Sequence, residues 1–383
     1  TATTMRPPVG VFRVSSVAAG VEAVHVGRLR FATNTAVYFY RVGDVLVDSG
    51  AANQWHKVSQ YIASRPPPSA LLVTHHHEDH AGNALRIAAA LRDGTLHVPS
   101  AAHGHSHGHS HGHSHGHGHG HKHGHGAARV GHSSSSGVPA GAAREQVPLY
   151  APAAAIPYLR EGFEVEWYRR MIWGRLAPDP SVVITPLPSS VPATLPDGSR
   201  VNIVPLAAPG HCADHTVMYV PERRWLFCAD LYVTSKPKMA FYGEVPLRSI
   251  ATLQRLVRGA VDPALAPWAD HPPDGAAASG VSLPLDIGTL FCAHRGALPD
   301  GAARLRERLE WLEELHGRVG DVMAAGAREV AAVTQAVLGR DDTLLYATSR
   351  GDFSKYHLIR GLMEARLPSP PPPPPSSQPT KLT

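Results

Sequence analysis

Short apolar runs bounded by Gly, Pro, Asp and Ser recur along the chain and predict buried strands. The first three are VGVFRV at residues 9–14, AVYFYRV at 36–42 and DVLVDSG at 44–50. Arg41-Val42-Gly43-Asp44 predicts a tight hairpin turn between the last two. A helical period follows from Gln54 to Ser64, ended by Pro66-Pro67-Pro68. Residues 70–74 then predict a buried strand, and Ala81 to Arg92 a helix stopped by Asp93-Gly94. The second half repeats the theme. An aromatic-rich helical stretch, Ile156 to Leu176, leads through a proline-rich connector to strands at Arg200–Leu206, Thr216–Val220 and Trp225–Cys228. A helix at Leu247–Val261, a strand at Thr289–Ala293 and a charged helix at Arg304–Leu315 come next. Two further helices are expected near Glu329–Leu338 and Phe353–Ala365. Strands followed by helices, twice over, predict an α/β layered domain of two similar halves with the C-terminal helices as an appendage.

Residues 99–148 break the pattern: Gly, Ser, His and Ala dominate and no apolar period remains, so a disordered insertion is expected there. The expected organisation is an N-terminal segment (1–8), a first half-domain (9–98), the insertion, a second half-domain (149–300), a helical module (301–366) and a proline-rich tail (367–383). Six consecutive prolines, Pro370 to Pro375, make that tail extended.

Composition narrows the class. At 383 residues and 43% hydrophobic, the chain can bury a core, which excludes a wholly disordered protein. No window approaches the ~18 apolar residues of a membrane span, so a soluble protein without a membrane partner is expected. The formal charge of +5 is mild and spread out; it permits a nucleic-acid partner without predicting one. Cys212, Cys228 and Cys292 are too few and too far apart for a disulfide framework, and none forms a CxxC. Small buried thiols on strands, in a reducing intracellular compartment (cytoplasm or an organelle), are the expectation. The first eight residues carry no apolar stretch of a secretory signal.

Histidine is the anomaly. Of 26 histidines, thirteen lie between His103 and His132. Imidazoles at every second residue bind zinc, nickel or copper, so that tract reads either as a metal reservoir or as a repeat without a role. The others carry the chemistry. In Thr74-His75-His76-His77-Glu78-Asp79-His80, His75 and His77 point the same way on an extended backbone and can hold one metal. His76 and Glu78 point oppositely and are not expected as ligands, so substitution of His76 should be nearly silent. Asp79 and His80 sit where the loop turns into the helix and can face a second position. Two metals need distant donors, and three candidates stand at strand ends: His211, Asp230 and His294. His215, four residues past His211, reads as a group that supports a ligand.

The ordered set HxHxDH at 75–80, PGHxxDH at 209–215, a single Asp at 230 and a final His at 294 resembles the metallo-β-lactamase superfamily over roughly residues 9–300. The resemblance implies a four-layer αββα sandwich, with a small C-terminal helical module here, and a dinuclear metal site at one edge. It implies that His75, His77 and His211 bind a first metal, that Asp79, His80 and His294 bind a second, and that Asp230 bridges them. Asp48 of Leu46-Val47-Asp48-Ser49-Gly50 looks like the family's early aspartate, orienting a ligand imidazole. Two divalent cations, most simply zinc with iron or manganese as alternatives, would generate a bridging hydroxide acting beside Asp79. GxSxG is absent, so no serine nucleophile is indicated.

For the substrate, a thioester or related small acyl molecule is favoured, as in the similar glyoxalase II branch. The last motif, Cys292-Ala293-His294-Arg295-Gly296, is not that branch's GHEY-like form. A phosphodiesterase resembling the lactamase-like endoribonucleases is the alternative, and a non-catalytic poly-His metal-binding protein is the third. Lys236, Lys238 and Tyr242 follow the Asp230 loop and are candidates for holding an anionic substrate group.

Overall fold

The computed structural model describes residues 10–29, 35–96, 146–269 and 280–364. The expected N-terminal segment, the proline tail and all but the end of the His-rich insertion lie outside the described residues.

Seven strands, β1 (Val11–Ala18), β2 (Val21–Gly27), β3 (Val37–Val42), β4 (Val45–Val47), β5 (Ala70–Leu72), β6 (Leu149–Ala151) and β7 (Ile184–Pro186), form one sheet in that spatial order. The expected hairpin joins β3 and β4, with Val42 opposite Val45. Gly43 turns it at φ +57°, and a Cβ there would lie 2.1 Å from the Thr194 carbonyl oxygen, so only glycine fits. From β4 to β7 the pairing is parallel. A second sheet contains β8 (Val191–Thr194), β9 (Arg200–Ala207), β10 (Thr216–Val220) and β11 (Trp225–Ala229). After the two-residue β12 (Ala240–Phe241), β13 (Thr289–Cys292) and β14 (Gly296–Pro299) complete it in the order β14-β13-β11-β10-β9-β8. β12 pairs instead with β15 (Phe353–Ser354).

The sheets face each other across one apolar layer. Tyr40 stands edge-on to Phe227 and Phe291 at 5.3 and 5.5 Å, and those two rings stack at 4.5 Å. The outer face of the first sheet is covered by α1 (Trp55–Ala63), α2 (Ala84–Asp93), α3 (Ile156–Glu161) and α4 (Trp167–Ile172) with the loops beside them. α1 is placed there by Val58, Tyr61 and Ile62, spaced to fall on one helical face. The second sheet is covered by α5 (Pro246–Arg258), α6 (Gly301–Ala324), α7 (Val330–Leu338) and, beyond α8 (Thr343–Ser349), α9 (Lys355–Met363). The result is the expected helix–sheet–sheet–helix sandwich. Leu305, Leu309, Leu312 and Leu315 of α6 share one core with Val217, Leu226 and Leu290 of the second sheet, so the C-terminal helices are packed into that layer.

Several elements differ from the sequence pattern. The helical stretch 156–176 is two short helices, broken at Gly162 with φ +78°. β2, β6, β7, β8 and β14 add strands to those expected. Most are three or four residues long, too short for a period to register, and Pro192 lies inside β8. The α6 pattern extends well beyond Arg304–Leu315 at both ends, and Phe353 belongs to a strand.

Tyr40 also ties the sheets with a hydrogen bond, its hydroxyl donating to the Cys292 carbonyl at 2.7 Å. Tyr40→Phe should therefore lower unfolding stability by about 1 kcal/mol without changing the fold, measurable by urea denaturation.

Candidate metal centre

Parallel pairing brings the chemistry to one edge. Val47 of β4 pairs with Leu72 of β5, so Asp48 leaves its strand beside Thr74. Ala229 of β11 pairs with Cys292 of β13, so Asp230 and His294 emerge side by side. Two backbone positions are held in the left-handed region without being glycine: Asp48 at φ +63° and Ala229 at φ +44°. Each costs free energy that packing must offset, and each aims a carboxylate, its own or the next residue's, into the same space. Gly210 approaches Ser249 so closely that a Cβ would lie 2.2 Å from its Oγ, which seats the 209–215 loop against α5.

Two clusters meet there. His75, His77, His211 and Asp230 present ligand atoms within 4.8 Å of one another, and so do Asp79, His80 and His294. Asp230 faces both. Its Oδ2 lies 3.3 Å from His211 Nε2, while its Oδ1 lies 3.4 Å from His80 Nε2 and 3.2 Å from His294 Nε2. His77 Nδ1 is 3.1 Å from His211 Nε2, and the Asp79 carboxylate is 3.8 Å from His80 Nε2.

The surrounding hydrogen bonds fix, for three of these rings, which nitrogen carries the lone pair when the ring is neutral. Asp48 accepts from His80 Nδ1 at 2.9 Å, leaving Nε2 as the lone-pair nitrogen. Thr74 Oγ1 donates its one proton to Asp48, so it accepts from His75 Nδ1 at 3.1 Å, and His75 Nε2 carries the lone pair. Glu244 does the same for His211, accepting from Nδ1 at 2.8 Å. His75 Nε2, His80 Nε2 and Asp230 Oδ1 are buried yet make no hydrogen bond. Buried polar atoms without partners are costly, and three of them converging with lone pairs inward fit a divalent cation held by nitrogen and oxygen. His215 uses both nitrogens otherwise: Nδ1 donates to the Ala208 carbonyl at 3.1 Å and Nε2 accepts from the Asp230 amide at 3.2 Å. It holds the Asp230 loop in place.

Burial pushes His75 and His77 well below the usual imidazole range, helped by neighbouring imidazoles, so both are neutral. Burial acts the same way on His80, His211 and His294, but Asp230 overrides it, with Asp79 assisting at His80 and His294 and Glu244 at His211; all three are raised, His294 to about 9. Burial would raise Asp230 in turn, and the three cationic rings hold it well below the ordinary carboxylate range.

His76 lies beside His77 and Cys212, with ligand atoms within 4.8 Å of one another, while Glu78 faces Arg169; neither is idle. The His76 amide and Nδ1 both donate to Asp214 at 2.8 Å, and its ring stacks on Tyr158 at 4.3 Å. His76 therefore anchors the ligand loop to the 209–215 loop, which corrects the expectation of a silent substitution. Buried Glu78 accepts two bonds from Arg169, at 2.9 and 3.0 Å. Glu244 and Arg169 had no motif to mark them, and Asp214, the acid of PGHxxDH, was given no role there; each lies far along the chain from its partner. Of the three substrate candidates, Lys238 lines the cavity above the metal ligands. Lys236 sits over the Trp311 ring, and Tyr242 is 64% exposed against Arg360 and His357, both away from that cavity.

Residues 30–109 match the family model described as the metallo-beta-lactamase superfamily. No curated protein matches the chain. Among solved structures, a beta-lactamase domain protein from Burkholderia ambifaria aligns at 14% identity with a TM-score of 0.51, covering 95% of this chain and 92% of that one. A metallo-beta-lactamase family protein from Thermus thermophilus aligns at 13% identity with a TM-score of 0.50, covering 92% of this chain and 95% of that one. The fold is thus shared at very low identity. No helix among the described residues is long and apolar enough to cross a membrane.

Because His80, His211 and His294 are raised, a cation must displace protons to bind, and affinity should fall as pH drops. Between pH 8 and 6 the apparent dissociation constant should rise by about tenfold per pH unit for each proton displaced, as read by chelator competition. A flat profile would contradict the assignment of those rings. Asp48→Asn should weaken metal binding by about 10–100-fold, measured the same way, while the protein still folds.

Proposed function

We propose, for a chain that carries a metallo-β-lactamase superfamily domain, a hydrolase that uses two divalent cations, zinc by preference, on thioesters or related acyl substrates. The fold and the His/Asp clusters make a metal-dependent hydrolase the common ground. One observation carries the finer reading: the clusters open into a single cavity of about 540 Å³ whose walls are largely apolar. Trp167, Trp173, Met239, Phe241, Leu345 and Phe353 line it, while His77, Asp79, His211, Asp230 and His294 form its polar part. A chamber of that kind suits an apolar acyl chain with its carbonyl at the polar end.

His75, His77, His211 and Asp230 Oδ2 would hold one cation; Asp79, His80, His294 and Asp230 Oδ1 would hold the other. Bound cations at such a site polarise the scissile oxygen and lower the pKa of water to about 7, so that hydroxide is available at neutral pH. The chain's own part is positional. Asp48, Thr74 and Glu244 fix three imidazoles with lone pairs inward. His215 fixes the Asp230 backbone, and the apolar walls exclude bulk water and orient the acyl group. Asp79, with no hydrogen bond tying it elsewhere among the described residues, would take the proton of the attacking water and return it to the leaving group.

The test is a panel of thioesters, lactones, β-lactams, bis-p-nitrophenyl phosphate and single-stranded RNA, run on the full chain and on His77→Ala and Asp230→Ala. All three carry the same His-rich tract, so a difference in metal content reports the site alone. Acyl turnover should drop by about a hundredfold or more in both variants, with less metal bound. Full activity and full metal content in either would refute the assignment. Turnover of RNA without any acyl substrate would move the function to the phosphodiesterase class.

A further inference from the structure

Four basic side chains line the cavity beside Asp79, Asp230 and Glu244. Arg169 is spent on Glu78, but Arg308, Arg295 and Lys238 also line it. Among the described residues, none of these three has a carboxylate within ion-pair distance. Arg308 and Arg295 reach in from α6 and from the residue after His294, and they grip consecutive carbonyls of one loop. Arg308 Nη1 donates to Thr234 at 2.6 Å and Arg295 Nε to Val233 at 3.1 Å. Arg308 Nε is buried and makes no hydrogen bond. Glu244 acts on this guanidinium only from beyond ion-pair distance, and a buried donor nitrogen left unmet is costly unless something that enters the cavity supplies the acceptor. Its planar fork suits two oxygens of one anionic group.

We propose that Arg308 and Arg295 form a subsite for an anionic group on the part of the substrate that is not cleaved. This rests on the hydrolase reading and narrows it: the substrate is an acyl ester or thioester with an apolar body and an anionic end, carboxylate or phosphate. The apolar walls contact the body, the clustered imidazoles and carboxylates meet the acyl carbonyl, and the paired guanidiniums meet the charge. Lys238, which is exposed, adds a cation at the edge of the same cavity.

Binding tests this without turnover. The metal-loaded full chain is titrated calorimetrically with hexanoate, hexyl phosphate and neutral 1-hexanol. One of the two anions should bind about tenfold or more tightly than the alcohol, and which one does so separates a carboxylate subsite from a phosphate subsite. Arg308→Gln should abolish that preference and Arg308→Lys should keep part of it. Should Arg308→Gln fail to fold, Arg295→Gln, altered at an exposed side chain, should still weaken it. Equal affinity for all three probes would overturn the subsite. So would an anion preference that survives both glutamine substitutions, since the anion would then sit on the cations. A protein that binds anions through Arg308 yet cleaves no acyl substrate would reject the hydrolase reading and leave the subsite standing.

Discussion

Asp230 is 7% exposed, and its two oxygens face three imidazoles at 3.2 to 3.4 Å. A carboxylate so placed cannot be solvated, and leaving it without positive partners would cost several kcal/mol. In the protein itself the cationic rings of His80, His211 and His294 supply that charge, which is why their pKa values rise while Asp230 falls. A divalent cation at the same place would give a better charge match and release the rings to the neutral form. The buried acid therefore dictates both states of the site: proton-rich without metal, proton-poor with it.

Holding that acid in position falls to the sheets. Parallel pairing of β11 with β13, and of β4 with β5, ends two pairs of strands on the same edge, so loops distant in sequence are adjacent by construction. Strain at Asp48 and Ala229 is tolerable because both sit at the ends of fully buried strands, where the apolar layer between the sheets keeps the backbone from relaxing. Tyr40 adds a direct tie, since its hydroxyl bonds the carbonyl of Cys292, two residues before His294. The inter-sheet core and the centre are in this sense one mechanical unit.

Much of this was legible in the residues. HxHxDH, PGHxxDH and the isolated Asp230 and His294 each follow a strand whose apolar run is plain, and the structure brings all seven side chains to one place. What escaped has a common cause. Glu244 and Arg169 act on partners 33 and 91 residues away, through single side chains with no spacing rule of their own, and Asp214, although inside PGHxxDH, acts on His76 138 residues away. Alternation assumed an extended backbone through His75–Glu78, but the segment bends, so His76 stays beside His77 and Cys212, and the rule says nothing of the partners Asp214 and Arg169. Most of the extra strands were missed because three or four residues are too few for a period to register, and the break at Gly162 was hidden by apolar residues continuing past it.

The cavity walls obey a different logic from its floor. They come from α4 and from the 345–353 stretch, joined where Tyr168 donates to Asp352 at 2.5 Å and Arg350 lies over the Trp167 ring. Trp167 and Met171 are about half exposed, and α4 buries no residue fully. Segments with few buried contacts open at lower free energy than the core they rest on. A wall of this kind can part while the imidazoles below, locked by Asp48, Thr74 and Glu244, stay fixed. Arg169 is the exception within α4: its bidentate pair with Glu78 ties this otherwise loosely packed wall to the loop that carries His75, His77, Asp79 and His80, so the wall is anchored to the floor at one point.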